Sequence, residues 1–232
     1  VISIYMLISY MAFSNARRSE QNKVWTGMAR ETAHQIGTPL SALLGWIAYL
    51  KERYPAEIAF KEMERDVDRL SSITERFSKI GSRPELTDTD LSGTLQHTVD
   101  YLSTRMGKKV SFEQDISLGL LAKHNPQLLS WVIENLVKNA TDAVEGSGVI
   151  RLTASPLEDS INIIVHDSGK GIPLKIQRNI FKPGFTTKNR GWGLGLSLAR
   201  RIIEEYHNGS IALVESGSEK GTTFKIVLPA AL

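Results

Sequence analysis

The chain contains no cysteine. That excludes disulfides, thiolate nucleophiles and cysteine-ligated zinc. Its five histidines are isolated and lack the spacing that ligates a metal. Charge of one sign is also scarce: the formal net charge is +3, with basic and acidic residues interspersed. No basic patch therefore argues for nucleic acid as a partner. No G-x-x-x-x-G-K-[ST] segment occurs, and no Rossmann unit surrounds the glycine clusters that do, so neither of those phosphate-binding devices is available. Internal repeats and low-complexity tracts are absent too. With 41% hydrophobic and 23% charged residues the composition is that of an ordinary globular protein. A length of 232 residues leaves room for one large domain or two small ones.

Long apolar runs are missing, with one partial exception. Val1 to Phe13 is almost wholly apolar, and Asn15, Arg17 and Arg18 follow. About 13 residues are too few to cross a bilayer, which takes roughly 20. The basic start and small-residue cleavage site of a signal peptide are absent. One reading is the inner end of a membrane-crossing helix with its arginines on the cytoplasmic side. The other is the start of a long dimeric helix, since Ile4, Ile8, Met11, Asn15, Arg18, Asn22 and Trp25 follow a four-three spacing.

From about Ser14 to Ile80 the pattern predicts two long helices. The first runs to about Arg53 and is broken at Tyr54-Pro55, because proline disfavours helix in the residue before it. The second carries Ile58, Met63, Val67, Leu70, Ile73, Phe77 and Ile80 at helical steps. Such a hairpin buries little by itself, and two copies packing as a four-helix bundle is the natural solution. Gly81 to Pro84 reads as a linker. Beyond it the pattern predicts helices at Leu91–Met106, Pro126–Glu145 and Gly193–His207. Strands are predicted at Lys109–Asp115, Val149–Ala154, Ser160–His166, Ser210–Glu215 and Thr222–Leu228. Helices and an antiparallel sheet in this order predict an α+β fold, a two-layer sandwich.

Polar residues stand out in four segments of this second half. Asn135, Asn139 and Asp142 lie on one helix face, opposite an apolar face. Asparagine and aspartate are mediocre helix formers, and their oxygens suit a hard cation such as Mg²⁺. Asp167 ends a predicted strand and is followed by Gly169 and Gly171, which allow close approach of a ligand. A carboxylate there can accept a hydrogen bond from an amino group, which would select adenine. Phe181 to Lys188 combines two exposed-type aromatics, Phe181 and Phe185, with Thr186, Thr187 and Lys188 in a loop. Gly191, Gly193, Leu194 and Gly195 open a helix, where bare N–H groups favour an anion. Gly217 to Thr223 reads as a hairpin turn.

Together and in this order the segments resemble the ATP-binding domain shared by histidine kinases, DNA gyrase, the Hsp90 chaperone and MutL, the GHKL or Bergerat type. The resemblance implies ATP and Mg²⁺ as cofactors. By it, Asn139 is the metal ligand with Asn135 its phosphate or metal neighbour, and Asp167 binds adenine in a pocket shaped by Gly169 and Gly171. Phe181, Thr187, Lys188, Gly191, Gly193, Leu194 and Gly195 belong to the lid over the nucleotide, with Lys188 a phosphate contact. Asp142 departs from many sensor kinases, which are basic there.

The first half selects among the chemistries of that superfamily. Pro39 removes its own N–H and clashes with the carbonyl of Gln35, beside His34. Gly37 weakens the helix by about 1 kcal/mol relative to alanine. His34-Gln35-Ile36-Gly37-Thr38-Pro39-Leu40 resembles the H-box of sensor histidine kinases. The resemblance implies a membrane-proximal or signalling helix at 1–18, a dimerisation and histidine-phosphotransfer domain at 19–81, a linker at 82–85 and an ATP-binding catalytic domain at 86–232. It further implies a homodimer, His34 as the phosphorylated residue, and transfer to an aspartate in the receiver domain of a separate response regulator. The expected location is the cytoplasmic side of a bacterial inner-membrane anchor. Thr38 matches the residue that positions water for dephosphorylating the regulator. Gln35 stands where the family is acidic, and it cannot take the imidazole proton. A kinase-weak, phosphatase-biased protein is therefore the alternative within the family. An ATP-driven clamp and a purely structural dimerisation module are the alternatives outside it.

Overall fold

The computed structural model describes residues 5–6, 9, 36–37, 39–54, 60–61, 63–68, 70–71, 74, 84–106, 109–188 and 193–231. His34, Gln35, Thr38 and Gly191 lie outside the described residues, as does most of the apolar run at 1–13. Among the described residues no helix is long and apolar enough to cross a membrane. The chain divides into two compact units, Val1–Pro84 and Glu85–Leu232.

In the first unit residues 39–53 are helical, and so are 60–61, 63–68, 70–71 and 74. The two stretches run antiparallel. A Cβ built on Gly37 would stand 3.8 Å from Thr74 Cγ2, while Lys51 Nζ donates to both carboxylate oxygens of Glu64 at 2.7 and 2.8 Å. Early residues of one helix thus face late residues of the other. The first helix closes on the bond from Tyr54 N–H to the Leu50 carbonyl, 2.8 Å, just before Pro55. Leu40, Ile47 and Val67 form a small buried cluster. Met63 and Leu70, expected on the apolar stripe with Val67, remain about half exposed within the chain, as do Leu43, Trp46 and Tyr49.

In the second unit the elements are numbered from its own start. They are β1 (Thr87–Asp90), α1 (Leu91–Ser103), β2 (Val110–Ile116), β3 (Leu121–His124), α2 (Pro126–Ala143), β4 (Gly148–Leu157), β5 (Ser160–Asp167), α3 (Leu174–Gln177), α4 (Gly195–Arg201), β6 (Ser210–Gly217) and β7 (Gly221–Pro229). Five strands make one sheet in the order β2-β4-β5-β7-β6, and β1 pairs antiparallel with β3 in a separate ribbon. Side chains alternate across a strand, and β5 buries Ile161, Ile163, Val165 and Asp167 on one face. On that face pack Leu128, Leu129, Val132, Ile133, Leu136 and Val137 of α2, with Leu91, Leu95 and Val99 of α1. Burying each large aliphatic side chain contributes roughly 1.5–3 kcal/mol. The result is a two-layer α/β sandwich.

Three differences from the pattern expected of the sequence have physical reasons. The sheet is mixed: β2 pairs parallel with β4, because β3 and α2 intervene as the crossover that parallel neighbours require. The ribbon strands β1 and β3 were not expected, since four residues each are too few to show a period. The last predicted helix is shorter than expected at both ends. It begins at Gly195, and from Ile202 to Tyr206 it widens to a π-turn.

The π-turn has a visible cause. His207 is buried, its Nδ1 donates to the Ile202 carbonyl at 2.8 Å, and its Nε2 accepts from the N–H of Asn125 at 3.0 Å. Asn125 in turn N-caps α2, its Oδ1 accepting from Leu128 N–H at 3.1 Å, with Pro126 at the first helical position. One imidazole thus ties the end of α4 to the start of α2. A second proton on Nε2 would destroy the acceptor, and burial holds the His207 pKa below its ordinary 6.5. The unfolded chain therefore binds this proton more readily. The His207 contribution to stability is complete above about pH 6.5 and declines as pH falls below it, towards the folded-state value. Urea unfolding from pH 8 to 5 should show this decline in the wild type and a smaller one in His207→Gln. His207→Ala should cost about 1–3 kcal/mol at pH 8, the cost of leaving buried backbone groups unpaired.

Candidate functional site

The apolar stripe of α2 fixes where its polar stripe points. With Leu136, Val137 and Ala140 buried, Asn135 and Asn139 are half-buried beside them and Asp142 is exposed. Lys188, from the loop before α4, meets two of them. Its Nζ donates to Asn139 Oδ1 at 2.9 Å and to Asp142 Oδ2 at 2.6 Å. Asn135 lies against the start of α4, where any Cβ at Gly195 would collide with its side-chain amide. Any larger residue there would push the Asn135 amide aside. The Asn135 Nδ2 is buried without a hydrogen-bond partner in the structure, a costly arrangement for a donor that nothing else satisfies.

The Asp167 loop is built onto the C-terminal end of α2. Asp167 is in phase with Ile161, Ile163 and Val165, so the strand period carries its carboxylate to the buried face, where it is only 5% exposed. Its Oδ1 accepts from Gly169 N–H at 2.9 Å, and the Thr222 backbone N–H also donates to the carboxylate. Burial nevertheless pushes its pKa above the ordinary aspartate value, outweighing those bonds and nearby His166. Lys170 N–H donates to the Ala143 carbonyl at 3.2 Å, and Ser168 Oγ accepts from Val149 N–H at 2.9 Å. A Cβ at Gly169 would stand 2.5 Å from the Ala143 carbonyl carbon, so the loop sits flush against the helix end. Gly171 packs as tightly against the backbone of Gly217.

The remaining expected residues frame the loop before α4. Phe181 and Phe185 are not exposed aromatics: both are half-buried against the core, and Phe181 meets Phe224 edge-on at 6.1 Å between centroids. Their apolar area anchors the loop to the sheet instead. Thr187 is exposed. Gly193 accepts a hydrogen bond through its carbonyl from Gly184 N–H at 3.0 Å, and the Leu194 carbonyl accepts from Leu198 N–H at 2.9 Å. The site therefore joins Asn139, Asp142 and Lys188 directly, sets Asn135 against Gly195, and hangs Asp167 and Gly169 from the C-terminal end of α2.

Three participants escape sequence reasoning. Thr222 is buried and bonds Asp167 from the neighbouring strand. Ser216 Oγ accepts from Ile172 N–H at 2.7 Å, and Gln177 Nε2 donates to the Ile172 carbonyl at 2.8 Å. The β6–β7 hairpin thus braces the Asp167 loop. The one signal in the sequence was Gly221-Thr222-Thr223 at a turn, which reads equally well as a plain hairpin.

The residues fit Mg²⁺ and a nucleotide. Asn139 Oδ1 and Asp142 Oδ2 already hold a cation, the Lys188 ammonium, and oxygen donors of this kind suit a hard metal ion. Asn135 offers an unpaired donor, and Asp167 is a buried acceptor whose burial is otherwise a cost.

This fold and site define an ATPase domain. Residues 124–232 match the family described as histidine kinase-, DNA gyrase B-, and HSP90-like ATPase. The nucleotide-free catalytic domain of the histidine kinase ThkA matches with a TM-score of 0.58 and 30% identity, over 63% of this chain and 96% of that one. Sensor histidine kinase ZraS of Escherichia coli strain K12 is 33% identical over 223 residues, covering 92% of this chain and 47% of ZraS. A ThkA complex with response regulator protein TrrA matches in fold, with a TM-score of 0.61 at 24% identity over 96% of this chain and 66% of that one. The chain belongs to the histidine kinase family. It spans half or less of the length of the first curated relatives it matches, 47% of ZraS and 30% of nitrogen regulation protein NtrY of Azorhizobium caulinodans.

Backbone rather than a flexible side chain opposes a Cβ at Gly169. Gly169→Ala should therefore lower thermal stability by about 2 kcal/mol or more, with a matching loss of nucleotide affinity. Calorimetric melts and titration with an ATP analogue measure the two.

Proposed function

We propose that the chain is the kinase core of a sensor histidine kinase, which phosphorylates His34 with Mg-ATP and passes the phosphoryl group to an aspartate of a separate response regulator. The observation that carries the reading is the convergence of Asn139, Asp142 and Lys188 on one side of α2 and the buried Asp167 at its end. That site belongs to an ATPase domain which follows, in the same chain, an antiparallel hairpin whose sequence holds His34. In this reading Asp167 accepts from the adenine amino group, Gly169 and Gly171 let the base approach, and Asn135, Thr187 and Lys188 face the phosphates. Asn139 holds Mg²⁺, which when bound neutralises phosphate charge. Phosphoryl transfer is then mostly positioning. An imidazole nitrogen of His34 bonds to the γ-phosphorus as the bond to the ADP oxygen breaks. The imidazole proton leaves to water, because Gln35 orients the ring but has no basic site at neutral pH. Thr38 positions water when the regulator is dephosphorylated. The response regulator bound to the similar ThkA supports a receiver domain as the partner of this chain.

A second copy of the chain completes the hairpin. Leu43, Trp46, Met63 and Leu70 are exposed in one copy, and a helix pair that leaves such a face in water gains most by packing against its twin. An anchor in the bacterial inner membrane, upstream of Arg17 and Arg18, suits the apolar run before them.

Purified chain incubated with γ-labelled ATP and Mg²⁺ should acquire acid-labile label, and His34→Ala and Asn139→Ala should each reduce it to background. Label persisting in His34→Ala would remove His34 as the acceptor. Nucleotide binding without label in the wild type would favour the phosphatase-biased reading, with Gln35→Glu the variant to restore label. Sedimentation should give a dimer at micromolar concentration, shifted towards monomer by Leu43→Glu with Leu70→Glu.

A further inference from the structure

Lys188 is held in an unusual way for a lysine in a loop. One ammonium bridges two oxygens of the same helix, Asn139 Oδ1 at 2.9 Å and Asp142 Oδ2 at 2.6 Å. The side chains of Lys188 and Asp142 are 44% and 47% exposed, so water and small ions reach the pair. A lysine ammonium and a divalent metal ion ask the same of a protein: oxygen atoms converging on a centre of positive charge. Asp142 adds a constraint of its own. Its carboxylate lies one helical turn from Asn139, where a nucleotide's phosphates come, and an unneutralised carboxylate there repels them. Some cation must answer it whenever phosphate is near.

We propose that Asn139 Oδ1 and Asp142 Oδ2 form one cation seat with two alternative occupants, the Lys188 ammonium and a divalent metal ion. Arrival of the metal–nucleotide moves Lys188 from Asp142 to the phosphates. This rests on the nucleotide-site reading above and adds two things to it. Asp142 is a residue of the metal seat in this chain, and Lys188 competes with the metal for it. The magnesium dependence of nucleotide binding is then set by the pair. With Asp142 neutralised, Lys188 is free for phosphate without help, and the metal adds less. With Lys188 removed, the carboxylate is left bare, and the metal adds more.

The test is fluorescence titration of the full chain with trinitrophenyl-ATP, once in EDTA and once in Mg²⁺, read as the ratio of the two dissociation constants. In Asp142→Asn that ratio should fall by about two- to fivefold, the range an exposed ion pair supports, mainly through tighter binding in EDTA. In Lys188→Met it should rise by a similar factor, through weaker binding in EDTA. Asp142→Glu keeps the charge and should keep the direction of the wild-type response. A pair that merely held the loop in place would move melting temperature in both variants and leave the ratio alone. An unchanged ratio in Asp142→Asn, or a shift in the same direction in both single variants, overturns the shared seat while leaving the nucleotide site standing. Failure of the folded wild type to bind the probe at all overturns the nucleotide reading itself, and this proposal with it.

Discussion

Everything in the second unit depends on how α2 lies on the sheet. Its apolar face, from Leu128 to Val137, packs in one cluster with the strand residues Ile163, Val165 and Ile226. That contact fixes the rotation of the helix about its axis. Rotation decides where Asn135, Asn139 and Asp142 point, because residues three and four apart share a face. The contact also fixes how far the helix extends. The carbonyl of Ala143 therefore stands where Lys170 N–H and the bare α-carbon of Gly169 meet it. One packed helix thus positions a polar row along its side and a buried carboxylate at its end. His207 secures the opposite end through Asn125, so neither terminus of α2 is free to drift.

Asp167 shows what this arrangement costs. The strand period buries it, and burial raises its pKa. A group held this way favours the protonated form in the folded chain. Its stabilising share is therefore present at low pH and lost as pH rises through the folded-state value. At neutral pH the fold works against a carboxylate that a leucine would relieve. Two backbone donors, from Gly169 and Thr222, offset part of the penalty. A buried acceptor held rigidly by backbone groups, rather than by flexible side chains, is set up in advance for a ligand donor. The stability given up here is the cost of holding a carboxylate in a buried, fixed position.

Much of this was legible in the sequence, and the limits have physical causes. The apolar period of α2 and the alternation of β5 are long enough to reveal both elements, and with them the phase of Asn139 and Asp167. The ribbon strands β1 and β3 were invisible because four residues carry no period. The parallel pairing of β2 with β4 was missed because strand direction depends on the crossover, which no local pattern records. Phe181 and Phe185 were read as exposed because loop aromatics have no phase. Only the fold shows that Phe224 lies beneath one of them. Thr222 and Ser216 act from a hairpin that is adjacent in space and about fifty residues away along the chain. Composition gives no hint of that meeting.

The charges of the site follow a single logic. Triphosphate is strongly anionic, and a helix that presents Asp142 to it adds a further negative charge. A basic residue at that position would answer phosphate directly. An acidic one can do so only by recruiting a cation, and the structure shows which group is within reach: Lys188, on the adjacent loop. Charge balance here is therefore a property of two elements together, α2 and the loop before α4, and not of either alone. Substituting Asp142 or Lys188 singly leaves the other without its partner, whereas exchanging both together keeps the sum. Coupling of that kind ties the loop to the helix electrostatically, through the contact of Lys188 with Asn139 and Asp142.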